Sequence, residues 1–274
     1  MSMLSIGKAW DEAKAALQAN RKLIVPVALG LVLLPAVIVS MVEPQVPPGE
    51  QPPPGSWMFV ALAMVVVMIV GQLAIVIMVN GWRGSVGEAI AQAARRAPTF
   101  ILAVLGYLLP VIVISSIMLA ILGVGTTDAG QVDWANFSGA GWLILLACFL
   151  MLIFFSVRLM PLTPVIAIER IGPIAALKRS FALTSGHFWR LFGFVAMLAI
   201  AFIIVAVTVG SVIGALVTLV AGPPEPWTLS LLLIALAAGL VQAGFVMVYL
   251  AMLARIYAQL GAGQASVPDV SRKD

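Results

Sequence analysis

Six long apolar runs constrain this chain more than any other feature of its sequence. Each is at least 20 residues long, and they lie at 23–42, 57–79, 99–122, 142–168, 191–220 and 228–254. A helix of about 20 apolar residues spans a hydrocarbon layer about 30 Å thick. Charged residues make up 9% of the chain, against about 25% in soluble domains, so this much apolar surface needs lipid as its solvent. We therefore predict an all-α polytopic membrane protein, with residues 1–264 as one six-span domain and 265–274 as a polar tail.

A basic amphipathic segment precedes the first, third and fifth runs. Apolar residues recur in each segment at intervals of three and four, which is the pattern of one helical face. These faces consist of Ile6, Trp10, Ala13 and Leu17, of Val86, Ile90, Ala93 and Ala97, and of Ile174, Leu177, Phe181 and Thr184. The first two sets match at an offset of 80 residues, which indicates an internal repeat. We predict three hairpins of two transmembrane helices, each preceded by an interfacial amphipathic helix.

Prolines and glycines mark local features within and between the runs. Pro35 lies inside the first run and predicts a kink. The Pro-rich segment 43–55 predicts an extended loop. Gly210 and Gly214 form a G-x-x-x-G pair in the fifth run, a pattern that is typical of close helix packing in membranes.

Charged residues divide unequally between the two sides of a six-span chain. With both termini and the even-numbered loops on one side, that side holds all 15 Lys and Arg residues and six of the 11 acids. The acids on the other side are Glu43, Glu50, Asp128, Asp133 and Glu225. Because basic loops stay in the cytoplasm, we predict a multi-pass protein of the bacterial inner membrane with both termini cytoplasmic.

The most charged stretch, residues 158–190, lies between the fourth and fifth runs. Its basic side chains are Arg158, Arg170, Lys178, Arg179 and Arg190. One interpretation makes them general anchors that meet anionic lipid headgroups. The other is a specific headgroup or anion site, in which Arg158 and Arg190 converge around an in-plane helix whose N-terminus adds positive charge. Glu169 is interpreted as a structural partner of a neighbouring arginine.

Groups that support catalysis or metal binding are sparse. One cysteine and one histidine do not make a Cys/His zinc site of the usual ligand count. We interpret Cys148 as a small buried apolar residue and His187 as an interfacial one. The G-x-S-x-G, G-x-G-x-x-G and Walker patterns are absent. We therefore expect no enzyme activity, no metal, no cofactor and no nucleic-acid partner.

The central stretch also carries a family motif, R-L-x-P…A-I-E-R-I-G-P-I-A-A-L-K-R-S-F-x-L-T-x-G-x-F-W-R-L-F-G. It resembles the glycerophosphoryl diester phosphodiesterase membrane-domain family. The matching residues are Arg158, Pro161, Glu169, Gly172, Pro173, Ala176, Leu177, Ser180, Leu183, Thr184, Gly186, Phe188, Trp189 and Gly193. The resemblance implies a multi-span helical domain with a tie to phospholipid metabolism. It does not imply phosphodiesterase activity, because the family's enzyme part is a separate soluble metal-dependent barrel.

Two functions from different classes follow. The first is a non-catalytic scaffold or lipid-associated domain, whose basic cytoplasmic face binds anionic phospholipid or a protein partner. The second is a transporter or lipid-moving channel built between the hairpins. Arg158, towards the end of the fourth run, is the one Asp, Glu, Lys, Arg or His within the six runs. Because ion-coupled transport needs such groups at mid-membrane, the channel would instead need a continuous cavity lined by Gln72, Asn80, Gln242 or the glycines of the spans.

Overall fold

A computed structural model describes residues 5–46, 52–121 and 139–265 of the chain. The regular secondary structure in these ranges is helical and includes no β-strand. The helices are α1 (Ile6–Ala28), α2 (Leu34–Val42), α3 (Trp57–Val79), α4 (Val86–Ile121), α5 (Gly139–Arg158), α6 (Leu162–Ile168), α7 (Pro173–Thr184), α8 (Phe188–Ala221) and α9 (Leu229–Ala265).

Six helical segments within the described ranges are long and apolar enough to cross a membrane. Their length and composition confirm the all-α class and the predicted number of spans. In the most apolar window of the second segment 44% of the residues are buried, whereas in the fifth the share is 6%. The fifth span therefore presents most of its surface outward, as an apolar helix does in lipid. The predicted acids Glu50, Asp128 and Asp133 and the tail beyond residue 265 lie outside the described ranges.

The first two amphipathic segments differ from the predicted separate helices. The first continues without a break into the first span as α1, and the second continues into the third span as α4. Pro26 and Pro98 lie inside these helices, where neighbouring groups in a membrane protein can compensate for the missing N–H. The third segment forms a helix of its own, α7. Its start has Pro173 at the first position after an extended Gly172, and Gly186 follows its end with a φ of +80°.

The predicted fourth span, 142–168, is interrupted near its end. Helix α5 ends at Arg158, and the short helix α6 begins at Leu162 after a turn. Pro161 lies in this turn. Proline has no N–H to donate and disfavours helical geometry in the preceding residue, here Met160. The break places α6 and the following loop against other helices instead of extending α5 in a straight line.

The buried face of α7 also differs from the predicted one. The predicted apolar face of this segment included Ile174 and Phe181, but Ile174 is 70% exposed and Phe181 is half-buried. The side chains that α7 buries are Ala176, Ser180, Leu183 and Thr184. Because Ala176 and Ser180 are small, they let α7 approach α4 and α6 closely, and the larger residues remain outside.

Small residues form the buried faces of the other two amphipathic segments as well. Ala9 and Ala13 in α1 and Ala89 and Ala93 in α4 are at most 2% exposed. These two pairs are related by the same offset of 80 residues that the sequence shows. The repeat therefore places alanines at equivalent buried positions, where they allow close helix packing. Trp10, predicted on this face, is half exposed.

A π-helical turn, Leu29–Leu33, lies between α1 and α2 just before Pro35, the residue at which a kink was predicted. Pro35 has no N–H for the carbonyl of Leu31 four residues earlier, and the backbone N–H of Leu34 instead reaches back to the carbonyl of Leu29. Gly71 in α3 packs directly against the widened turn: a Cβ at position 71 would lie 2.7 Å from the Leu31 Cβ and 2.9 Å from its carbonyl oxygen. Glycine is therefore required at this contact.

The most deeply buried part of the molecule lies between α9 and the first two spans. Helix α9 packs against α1, α2 and α3, and α3 packs against α1, α2 and α4. Helix α4 also contacts α5, α6 and α7, while α8 contacts α5 and α9. Residues 73–79 of α3 and 250–254 of α9 are all buried. The core therefore lies toward the end of the molecule where these two helices finish. The grouping into three hairpins stays a prediction.

Candidate functional site

Several helix ends meet at one end of the molecule, which we call the basic end. They are the beginnings of α1, α4 and α8, the ends of α3, α5, α6 and α9, and the whole of α7. The backbone N–H of Ser5 donates to Oε1 of Gln259 at 3.2 Å, joining α1 to α9. The Nη2 of Arg255 donates to the carbonyl of Val79 at 2.6 Å, joining α9 to α3. Every Lys and Arg of the described ranges lies on a segment that reaches this end.

Arg96 connects α4 to the end of α6. Its Nη1 lies 2.9 Å from the carbonyl oxygen of Ile166 and 2.5 Å from that of Ala167, and 3.5 Å from that of Glu169. The last carbonyls of a helix have no partner within the helix, and their partial negative charge attracts a cation. Arg96 therefore satisfies the end of α6 and holds the α6–α7 junction against α4.

Glu169, in the loop between α6 and α7, connects two further elements. Its Oε1 lies 3.3 Å from Nε of Arg179 in α7 and accepts a hydrogen bond of 2.7 Å from the hydroxyl of Tyr257 in α9. The Glu169 side chain is 24% exposed and that of Arg179 is 38% exposed, so solvent screens the ion pair in part. Glu169 thus contacts both α7 and α9, and its role as a structural partner stays a prediction.

Arg158 lies at the end of α5 beside aromatic side chains. Its guanidinium carbon is 5.3 Å from the centre of the Phe154 ring, a distance that favours a cation–π interaction. The hydroxyl of Thr184 in α7 is 3.3 Å from the Arg158 carbonyl and 3.0 Å from that of Ser180. Phe154 in turn packs against Phe188 of α8, with ring centres 5.4 Å apart. This cluster joins the ends of α5, α7 and α8.

The other predicted site residues are more accessible to solvent. Arg170 and Lys178 are exposed, and so is Arg190 in the first turn of α8.

His187 and Cys148 were not predicted as site residues. The Nδ1 of His187 lies 3.2 Å from the carbonyl of Ser185. Cys148, expected to be buried, is half-buried in α5, because the surface of α5 faces outward along much of its length.

A cleft of 530 Å³ opens between the first turns of α4 and the α6–α7 loop. Its lining consists of Trp82, Glu88, Ala91, Gln92, Arg95, Arg96 and Arg170. A second cavity of 170 Å³ shares Arg96 and Arg170 with it and reaches Glu169. We call the larger cavity the arginine cleft. Of the five cations predicted as site residues, only Arg170 lines it.

The wall of the arginine cleft is fixed by a reciprocal cap at the start of α4. The backbone N–H of Ser85 donates to Oε2 of Glu88 at 2.9 Å, and the backbone N–H of Glu88 lies 3.2 Å from Oγ of Ser85. This is a capping box, which satisfies two otherwise unpaired N–H groups. The indole N–H of Trp82 donates to the Ser85 carbonyl at 3.0 Å. The Glu88 carboxylate and the Trp82 ring are thereby held in place.

Sequence reasoning placed Arg95 and Arg96 among the topology signals and did not include them in the site. The spacing of Arg96 from two alanines could have identified it as an inward-facing residue. It lies three residues after Ala93 and seven after Ala89, on the helical face that the alanines bury. An arginine at such a position must find acceptors inside the molecule. Arg95, the preceding residue, lies on a different side of the helix and is exposed.

Asn80 and Gln242, two of the polar residues named for a transport path, have separate surroundings. The Asn80 amide donates to the Val76 carbonyl of its own helix at 2.8 Å. Gln242 lines a groove of 370 Å³ between α8 and α9, together with Phe202 and Tyr249. Gly210 and Gly214 have open space where a Cβ would be, so they pack against no described neighbour. These contacts assign no path, and the transport alternative stays a prediction.

The fold and the basic end define a polytopic α-helical membrane protein. Among the described residues, no group of three or more His, Cys, Asp or Glu side chains is arranged to hold a metal ion. A family profile described as a domain of unknown function, DUF7847, matches residues 4–260, and the chain belongs to this family. No curated protein and no solved structure matches the chain. The match does not bear on the resemblance to the phosphodiesterase membrane domains.

Proposed function

We propose that this protein is a non-catalytic scaffold or lipid-associated protein of the bacterial inner membrane, which binds anionic phospholipid through its basic end. The observation that carries the proposal is the concentration of exposed cations where the helices of the core finish. The exposed cations nearest α7 and the start of α4 are Arg83, Arg95, Arg170, Lys178 and Arg190. Cations near a membrane surface attract anionic headgroups with about 1 kcal/mol each.

Further support comes from the aromatic cluster beside these cations. Trp189 is 78% exposed and stacks edge-on against Phe188 and Phe192 at the start of α8. Aromatic side chains of this kind favour the headgroup region, where one part of the ring meets water and another meets lipid. In this proposal α7 lies at the interface between membrane and water, and the spans form three hairpins. The resemblance to phosphodiesterase membrane domains adds a place in phospholipid metabolism. A protein partner at the same face is compatible with it.

We expect the basic end and both termini to be cytoplasmic, because basic loops resist export. Alkaline phosphatase folds into an active enzyme only after export. Inserted after Pro53, it should therefore be active, and inserted after Ser266 it should be inactive. A cytoplasmic fluorescent protein at the same two positions should give the reverse pattern. An active phosphatase at Ser266 would contradict the proposed orientation.

We also expect anionic lipid to co-purify with the protein. After extraction in a mild neutral detergent, the ratio of phosphatidylglycerol and cardiolipin to phosphatidylethanolamine should exceed that of the whole membrane about threefold, measured by mass spectrometry. The variant Lys178→Ala/Arg190→Ala should reduce this enrichment. Washing at about 1 M salt should reduce it as well, because the screening length falls to about 3 Å.

The matched control changes charge at the opposite end. Glu43→Gln/Glu225→Gln alters two charges that the proposal assigns to the outer side, and it should leave the enrichment unchanged. A lipid composition equal to that of the whole membrane in the wild-type protein would contradict lipid association by the basic end.

A further inference from the structure

We propose that the arginine cleft is a specific binding site for a phosphate group, a narrower claim that rests on the proposed function. Three arginines, Arg95, Arg96 and Arg170, line one cavity. They come from two separate parts of the chain, the first turns of α4 and the loop after α6. The tertiary structure therefore brings Arg170 to two adjacent arginines from a distant part of the chain.

The arginines differ in how they are already engaged. Arg96 donates through Nη1 to the carbonyls at the end of α6, and this fixes its position in the cleft. Within the described ranges, Arg95 and Arg170 have no hydrogen bond or ion pair, and both are exposed. Like charges that share a cavity repel one another. An anion bound between the guanidinium groups would be attracted to each of them and would offset their mutual repulsion.

The remaining lining defines which anion fits. Planar guanidinium groups match the oxygen geometry of phosphate with paired hydrogen bonds, and the Gln92 side chain adds an amide donor. Glu88 is the one carboxylate in the described lining, and its Oε2 is engaged by the backbone N–H of Ser85. The negative charge of Glu88 repels an anion, but the three arginines outnumber it, so the net charge of the lining is positive. A dianionic phosphate monoester should therefore bind more tightly than a monoanionic diester.

The dimensions of the cleft suit a small polar group. Its 530 Å³ lies within the range of about 300–1,000 Å³ that is usual for small-ligand sites. The ring of Trp82 forms part of the wall, as is common where a headgroup meets the membrane interface. A phosphate could come from a lipid headgroup or from a soluble phosphate ester, because the two share this chemistry.

The test measures binding of a fluorescent phosphatidic acid to the full-length protein in neutral detergent micelles. The variant Arg95→Ala/Arg170→Ala should raise the Kd about tenfold or more, because it removes two charge-assisted contacts. The matched control Lys14→Ala/Arg21→Ala removes two exposed cations of α1 and should raise the Kd less than about threefold. Arg95→Lys/Arg170→Lys keeps the charge without the planar fork and should give an intermediate Kd.

The outcomes separate this site from the broader proposal. If wild-type protein binds phosphatidic acid no better than phosphatidylcholine, lipid association itself fails. If it prefers phosphatidic acid but Arg95→Ala/Arg170→Ala and Lys14→Ala/Arg21→Ala change the Kd by the same factor, the diffuse basic end stands and the specific site is overturned. Competition identifies the source of the phosphate: displacement of the lipid by millimolar inorganic phosphate or glycerol phosphate supports a soluble ligand, and its failure supports a lipid headgroup. Thermal unfolding in the same detergent confirms that each variant is folded.

Discussion

Gly71→Ala should destabilise the protein by about 3 kcal/mol, although it adds a single methyl group. The added Cβ would lie 2.7 Å from the Cβ of Leu31 and 2.9 Å from its carbonyl oxygen. The carbonyl belongs to the backbone of the π-helical turn before Pro35, so it cannot move away as the tip of a flexible side chain could. The π-helical turn and α3 would have to separate at a contact inside the core. Unfolding of the purified protein by SDS in mixed micelles, followed by tryptophan fluorescence, measures the loss.

The matched control is Gly106→Ala, the same substitution in the membrane-spanning part of α4. A Cβ at position 106 meets nothing within 4 Å, and alanine favours a helix over glycine by about 1 kcal/mol. This variant should be as stable as the wild-type protein or slightly more so. Equal stabilities for the two alanine variants would show that the contact between Gly71 and Leu31 is not close in the folded protein.

Arg96→Met should cost about 3 kcal/mol, because it removes the donor shared by the carbonyls at the end of α6. Methionine keeps much of the length of the side chain and its apolar contacts, so the change isolates the guanidinium group. The carbonyl oxygens of Ile166 and Ala167 would be left without this partner in a partly buried place. The α6–α7 junction should loosen, and its backbone amides should exchange with solvent faster than in the wild-type protein.

Arg95→Met provides the control on the neighbouring residue. Arg95 is exposed and has no partner among the described side chains, so its loss should change stability by less than about 0.5 kcal/mol. Arg96→Lys should recover part of the stability, since an ammonium group can reach one carbonyl but lacks the planar fork. If the two methionine variants unfold at the same SDS fraction, Arg96 does not hold the end of α6.

Two sequence patterns indicated packing that differs from the packing in the structure. The G-x-x-x-G pair at Gly210 and Gly214 indicated close packing, yet both glycines face open space, while the close contact occurs at Gly71, which no pattern distinguished. A glycine is required only where a neighbouring backbone approaches, and here the approaching backbone is the π-helical turn before Pro35 in another helix. Likewise the inner face of α7 follows the small residues Ala176 and Ser180, because packing distance there mattered more than hydrophobicity.

The sequence alone determined that this chain has six helices long and apolar enough to cross a membrane, and that the cations of the described ranges fall on the segments between them that share one side. Both properties depend on the transfer of individual side chains between water and lipid, which needs no knowledge of neighbouring helices. Only the tertiary structure decided which cations are structural and which line a cleft. Arg96 turns to the carbonyls of α6 while Arg95 and Arg170 share a cavity, because the rotation of α4 and the position of the α6–α7 loop are set by packing against α3 and α7. Side chains distant in sequence meet only when the helices that carry them have packed.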